Sequence, residues 1–191
     1  YEGQTIDLTA PWPRLSMLDA IQTLGGISFE KMSDVEVKNL LKENGWELDA
    51  DYNRGLATQL VFEETCETQL IQPTFIIDHP KETSPLCKQN RHNPELLERF
   101  EAYINGWEIA NAYSELNDPV IQRRLMEEQV ERGRGGEKET QPLDEDFLRA
   151  MEYGMPPMGG VGIGIDRIVM LFTGQSTIRD VILFPTMRPE A

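Results

Sequence analysis

The sequence has 191 residues, 39% hydrophobic and 27% charged, enough for one domain with a sizeable core. With 33 Asp+Glu against 18 Lys+Arg the formal charge is −15, which argues against a self-sufficient nucleic-acid-binding surface. An enzyme handling ATP with magnesium stays open, as does RNA held mainly by another domain.

No apolar run approaches the ~20 residues of a membrane helix. No signal-peptide pattern follows Tyr1, and a start at Tyr1 rather than Met reads as part of a larger protein. Cys66 and Cys87 have no metal-like spacing and suggest a reducing, cytoplasmic setting. Cys66 reads as packing and His79 and His92 as structural; the role of Cys87 is open.

In chain order, residues 4–9 alternate weakly and are predicted as a strand ended by Ala10-Pro11-Trp12-Pro13. Ser16 caps a short helix over 17–24, stopped by Gly25-Gly26. Ser33 and Glu36 form a capping box for a helix reaching residue 43, with Gly45 as its stop. Asn53 opens a longer helix whose Leu56, Leu60, Cys66 and Leu70 lie near one stripe, widened by Phe62. The helical segment at 16–71 reads as a peripheral layer without chemistry. Residues 74–77, an apolar run between Pro73 and Pro80, read as a buried strand. A polar loop over 79–93 follows, in which Glu82 and Ser84 are weak functional candidates.

Residues 96–116 read LLERFEAYINGWEIANAYSEL. Asn105-Gly106 between alternating runs predicts a β-hairpin with a two-residue turn. Ile104 then pairs with Trp107, Tyr103 with Glu108, and Glu101 with Ala110. Glu101 and Glu108 become diagonal neighbours on one face, roughly 7–8 Å apart at Cα. Two carboxylates at that spacing can hold a magnesium ion, whose oxygen ligands include waters and phosphate. Two exposed glutamates on a solvated face fit the spacing equally well. Asn111, Tyr113 and Glu115 share a face with each other, and simple counting puts them opposite Glu108. For all five to line one cleft a β-bulge must lie between Glu108 and Asn111, and that bulge is predicted.

Asp118-Pro119 starts a helix running to residue 132, with Ile121, Leu125 and Met126 inward and a Glu128–Arg132 pair outward. A charged loop spans 133–140. Asp144 caps a further helix ended by Gly154 and Pro156-Pro157. Residues 159–170 then read GGVGIGIDRIVM, with glycines at 160, 162 and 164. On a strand these leave one face bare, with Val161, Ile163 and Ile165 on the other. Glycine weakens a strand, so three in period suggest a flat ligand lying on it. A tightly packed strand beneath a helix accounts for one or two of them. Asp166 and Arg167 fall where the strand gives way to a helix over 166–172, and an arginine there suits an anion.

Gly160 to Arg167 (GVGIGIDR), followed by IRDVILFP at 178–185, resembles the third signature motif of class II aminoacyl-tRNA synthetases, in the lysyl, aspartyl and asparaginyl subgroup. TMRPE at 186–190, WEIANAYSELNDP at 107–119, SPL at 84–86 and EYGMPP at 152–157 resemble its lysyl members, the lysyl-tRNA synthetases. The likeness covers most of the chain and is strongest from Pro73 onward.

The resemblance implies an α+β fold: a mainly antiparallel β-sheet of the class II catalytic core, here partial, with flanking helices. It implies a chain (1–191) from the C-terminal part of the catalytic domain. Glu101 and Glu108 would hold Mg2+ on the ATP phosphates. Asn111, Tyr113 and Glu115 would bind lysine, with Glu115 facing its ammonium group. Gly162 and Gly164 would floor the adenosine pocket, and Arg167 would clamp the γ-phosphate as the catalytic residue. Lysine, ATP and tRNA(Lys) are the implied partners, with a homodimer for the full-length protein and no membrane. The family's first two motifs and its anticodon-binding OB-fold are not found, so the chain alone is expected to be inactive. Aspartyl or asparaginyl specificity is the alternative that Glu115 disfavours. A non-catalytic synthetase-derived binding or regulatory module is the alternative that Glu101, Glu108 and Arg167 together disfavour.

Overall fold

The computed structural model describes residues 1–48, 51–134 and 142–186. Five strands form one sheet in chain order: β1 (Arg14–Ser16), β2 (Thr74–Ile77), β3 (Arg99–Ile104), β4 (Trp107–Ser114) and β5 (Gly159–Ile163). β1 runs parallel to β2, and every other pairing is antiparallel. The helices are α1 (Met17–Thr23), α2 (Asp34–Asn44), α3 (Arg54–Thr65), α4 (Pro119–Arg134), α5 (Glu145–Glu152) and α6 (Ile165–Thr173). This is the α+β architecture with a mainly antiparallel sheet and flanking helices. No helix among the described residues is long and apolar enough to cross a membrane.

Local chemistry sets the ends of these elements. Ser16 caps α1 by accepting from the Asp19 N–H. Both bonds of the Ser33–Glu36 capping box are formed, and α2 stops at Gly45, whose φ of 71° favours glycine. Asn53 Oδ1 accepts from the Gly55 and Leu56 N–H groups at the start of α3. Asn105 and Gly106 take φ of 58° and 72°, the left-handed pair that a type I′ hairpin turn requires. Their N–H groups donate to the Ile71 and Leu70 carbonyls, which seats the β3–β4 turn on the segment following α3.

Residues 4–9 form no strand. The Gln72 side chain tethers this segment, accepting from Asp7 N–H and donating to the Thr5 carbonyl. The buried face of α3 is Ala57, Thr58, Val61 and Phe62, rotated one position from the Leu56–Leu60 stripe, which is half-buried. In α4 the inward residue is Gln122, whose amide donates to the Pro85 carbonyl, while Ile121 is exposed. A hydrogen bond to a loop carbonyl outweighs apolar periodicity there. Glu128 pairs with Arg124; the Arg132 side chain, the loop at 135–140 and residues 187–190 lie outside the described set. Both cysteines and His79 are buried.

The larger core lies between α1–α3 and the β2–β3 part of one sheet face, where Ile76 and Tyr103 meet Ile21, Phe29, Val61 and Phe62. Each such side chain contributes ~1.5–3 kcal/mol when fully buried. On the opposite face Ala102, Ile104 and Ile109 pack beneath Ile6, Trp12 and Leu171. Among the described residues this core covers the β2–β3 part of the first face. Its β3–β5 half is polar.

Candidate functional site

Strand register decides which side chains share that polar half. Ile104 pairs with Trp107 and Tyr103 with Glu108, but Ala102 pairs with Ala110 and Glu101 with Asn111. Ile109 is therefore an extra residue in β4, a bulge between Glu108 and Asn111 as predicted. It corrects the expected Glu101–Ala110 pairing. It also shifts Asn111 and Tyr113 onto the face carrying Glu108, Tyr103, Glu101 and Arg99. Asn111 then pairs with Gly162 and Tyr113 with Gly160 on β5, so these glycines lie on the same face.

Glu101 is buried and held at both oxygens. Arg99 donates to Oε1, and the Tyr103 hydroxyl donates to Oε2 at 2.8 Å. Arg99 also donates through Nε to Asn111 Oδ1 at 3.3 Å. Burial, reinforced by Glu101 nearby, pushes the Glu108 carboxyl above its ordinary pKa, against the pull of Arg167 and Arg99. The Arg167 guanidinium donates to the Glu108 main-chain carbonyl and lies 3.9 Å from its carboxylate. Arg167 and the glutamates therefore open onto the same side of the molecule. Arg167 and Glu108 border a cavity of about 370 Å³ lined also by Glu67, Trp107, Met170 and Ser176, with Glu101 buried behind Glu108 on the same sheet face.

The glycines divide the strand differently from the even shelf expected of them. A Cβ at 160 would run into the Glu115 carboxylate, so that space belongs to Glu115. Gly164 is the N-cap of α6 and lies under the stem of Arg167. Only Gly162 meets nothing closer than the Asn111 carbonyl, 3.8 Å from its missing Cβ. Glu115 sits at the end of β4, where its N–H donates to the Met158 carbonyl and its backbone bridges to Cys87. Burial and the Glu115 charge raise the Tyr113 pKa.

Glu101 and Glu108 are the oxygen donors suited to magnesium, and their crowding is what a cation relieves. Among the described residues no group of three or more His, Cys, Asp or Glu could hold a metal ion. Two carboxylates without a full protein cage fit magnesium, which keeps waters and takes phosphate oxygens.

Sequence reasoning passed over three residues here. Arg99 and Tyr103 alternate with Glu101 along β3, a signal that was readable. Glu67, beyond the end of α3, reaches the Tyr103 hydroxyl at 3.1 Å, and nothing in its local sequence announces that. The loop candidates have other roles: the Glu82 carboxylate packs against the Gly55 backbone, and Ser84 Oγ accepts from Leu86 N–H.

Residues 1–188 match the family described as tRNA synthetases class II (D, K and N). The chain belongs to this family. Among curated relatives, it is 52% identical over its whole length to a Lysine--tRNA ligase of Moorella thermoacetica. It is 50% identical to those of Syntrophomonas wolfei, over its whole length, and of Porphyromonas gingivalis W83, over 98% of it. The chain spans 39% of the length of the first two relatives and 32% of the third.

Proposed function

We propose that this chain is the ATP- and lysine-binding part of a lysine–tRNA ligase, from the C-terminal part of its catalytic domain. The protein joins lysine to AMP and passes it to tRNA(Lys). The observation that carries the reading is the Ile109 bulge, which sets Glu101, Glu108, Asn111 and Tyr113 on one face beside Gly162 and Arg167. Membership of the class II family and relatives named Lysine--tRNA ligase support it.

In this reading Glu115, with Asn111 and Tyr113, binds lysine. A carboxylate is the fitting partner for an ammonium group leaving water, since a buried charge is costly unless paired. The absence of a side chain at 160 leaves room for that carboxylate. The adenosine lies over Gly162, with Gly164 beside it beneath the Arg167 stem. Arg167 turns from Glu108 to the γ-phosphate. Magnesium on Glu101 and Glu108 offsets phosphate charge when bound.

A lysine carboxylate oxygen attacks the α-phosphorus; the bond to the bridging oxygen breaks, and its electron pair leaves with pyrophosphate. No proton moves in this first step, so it needs no general base. Orientation and fixed charge supply the acceleration. The terminal adenosine hydroxyl of tRNA then attacks the aminoacyl carbonyl; the bond from that carbon to the phosphate oxygen breaks, AMP leaves with the electron pair, and a phosphate oxygen of the AMP takes the hydroxyl proton. The working protein is a cytoplasmic homodimer.

The test uses a protein of the relatives' full length that carries this sequence. Lysine-dependent ATP–pyrophosphate exchange is expected, with calorimetric binding of lysine and none of aspartate. Aspartate binding instead of lysine would overturn the assignment. The 191 residues alone are expected to give no exchange, and exchange by them would refute the fragment reading.

A further inference from the structure

Glu67 comes from the helical layer, yet it belongs to the acidic end of the site. It lies in the short turn Glu67–Gln69 that follows α3. Its main-chain carbonyl backs the Gly106 turn, and Oε1 reaches the Tyr103 hydroxyl. That hydroxyl is on a buried ring packed edge-on against Phe62, with centroids 5.7 Å apart. The ring cannot drift, and its hydroxyl lies between Glu101 Oε2 at 2.8 Å and Glu67 Oε1 at 3.1 Å; its single proton goes to Glu101, and a protonated Glu67 donates to the tyrosine oxygen. Glu67 also lines the cavity that holds Glu108 and Arg167.

We infer that Glu67 is a positioning residue for the magnesium carboxylates, acting through the Tyr103 hydroxyl to set the rotamer of Glu101. This rests on the lysine–tRNA ligase reading for the identity of the cation. Arg99 alone would leave Glu101 free to swing about its one ion pair. The second hydrogen bond, itself braced by Glu67, fixes both oxygens. Outer partners of this kind typically alter metal affinity by ~10–100-fold when removed. Burial also pushes the Glu67 carboxyl above its ordinary pKa, against the Tyr103 hydrogen bond and with Glu63, Glu101 and Glu108 adding to the rise. A glutamine there keeps a group that can bond the tyrosine oxygen.

The full-length protein carrying Glu67→Ala, Glu67→Gln, Tyr103→Phe or the Glu67→Ala/Tyr103→Phe pair tests this. The first readout is Mn2+ binding in the presence of ATP, followed by electron paramagnetic resonance. The second is the Mg2+ requirement of lysine-dependent pyrophosphate exchange. Glu67→Ala and Tyr103→Phe are each expected to weaken Mn2+ binding and raise the Mg2+ requirement about tenfold. The KM for lysine should move less than twofold. Glu67→Gln should restore most of the loss, and the double variant should be no worse than Tyr103→Phe. Unchanged Mn2+ binding in Glu67→Ala, additive losses in the pair, or a parallel rise in the lysine KM overturns the inference. If Glu67→Ala does not fold, Glu67→Gln and Tyr103→Phe decide: Gln near wild type with Phe impaired supports it, and any other pattern overturns it. An unmutated protein without lysine-dependent exchange overturns the functional reading instead.

Discussion

The β2–β3 and β3–β5 halves of one sheet face have opposite fates. Under α1–α3, Ile76 and the Tyr103 ring are sealed among apolar side chains. Further along β3 and on β4, Glu101, Arg99, Glu108 and Asn111 share that face as a polar set. Tyr103 stands on the boundary, with its ring in the core and its hydroxyl in the site. The dry half thus supplies rigidity to the wet half: the charged groups sit on strands whose register the packed helices help to hold.

The sharpest break of this division is Phe62→Ala. It should cost about 3–5 kcal/mol by chemical denaturation, because it leaves a cavity against the Tyr103 ring. Lysine selectivity in the folded fraction should persist. Glu115→Gln tests the other half: lysine affinity should fall by about 2–4 kcal/mol on calorimetry, with no change in the unfolding free energy beyond about 0.5 kcal/mol. Gly160→Ala should do the same more weakly, by about 1–2 kcal/mol, since a Cβ there would overlap Glu115 Oε1 and push the carboxylate aside. ATP affinity should be unaffected.

Acid sharpens the comparison from the core side. His79 is buried, and burial together with Arg99 lowers its pKa from 6.5 to about 3. Between those values the unfolded chain binds a proton that the folded one refuses. The His79 contribution is therefore complete above pH 6.5, falls as pH drops through that window, and levels off near pH 3. One unit below 6.5 the loss is about 1 kcal/mol. The difference in unfolding free energy between wild type and His79→Gln, measured from pH 7 to pH 4, should show this slope. A flat difference would sink the assignment.

Much of the fold could be read from short-range chemistry. The Ser33–Glu36 box, the Asn53 cap and the Asn105-Gly106 turn each depend on groups within a few residues, so their outcome is local. The candidate site was partly readable in the same way. Glu101 and Glu108 flank a hairpin whose turn fixes their offset, and the required bulge follows from asking Asn111 and Glu108 to share a face. The α3 stripe and the Ile121 face of α4 misled, because the partner that covers a helix is not encoded in its own periodicity.

By itself the sequence determined the capped helices, the hairpin, the α+β class and the family likeness, since these depend on near neighbours and on motif residues. Tertiary structure alone decided that Glu67 meets Tyr103 across 36 residues, that Arg99 lies between Glu101 and Asn111, and that the space at Gly160 belongs to Glu115. Those contacts join side chains from separate elements. Their geometry exists only once strand register and helix packing have brought the backbones together, because no term in the local chain energy refers to them.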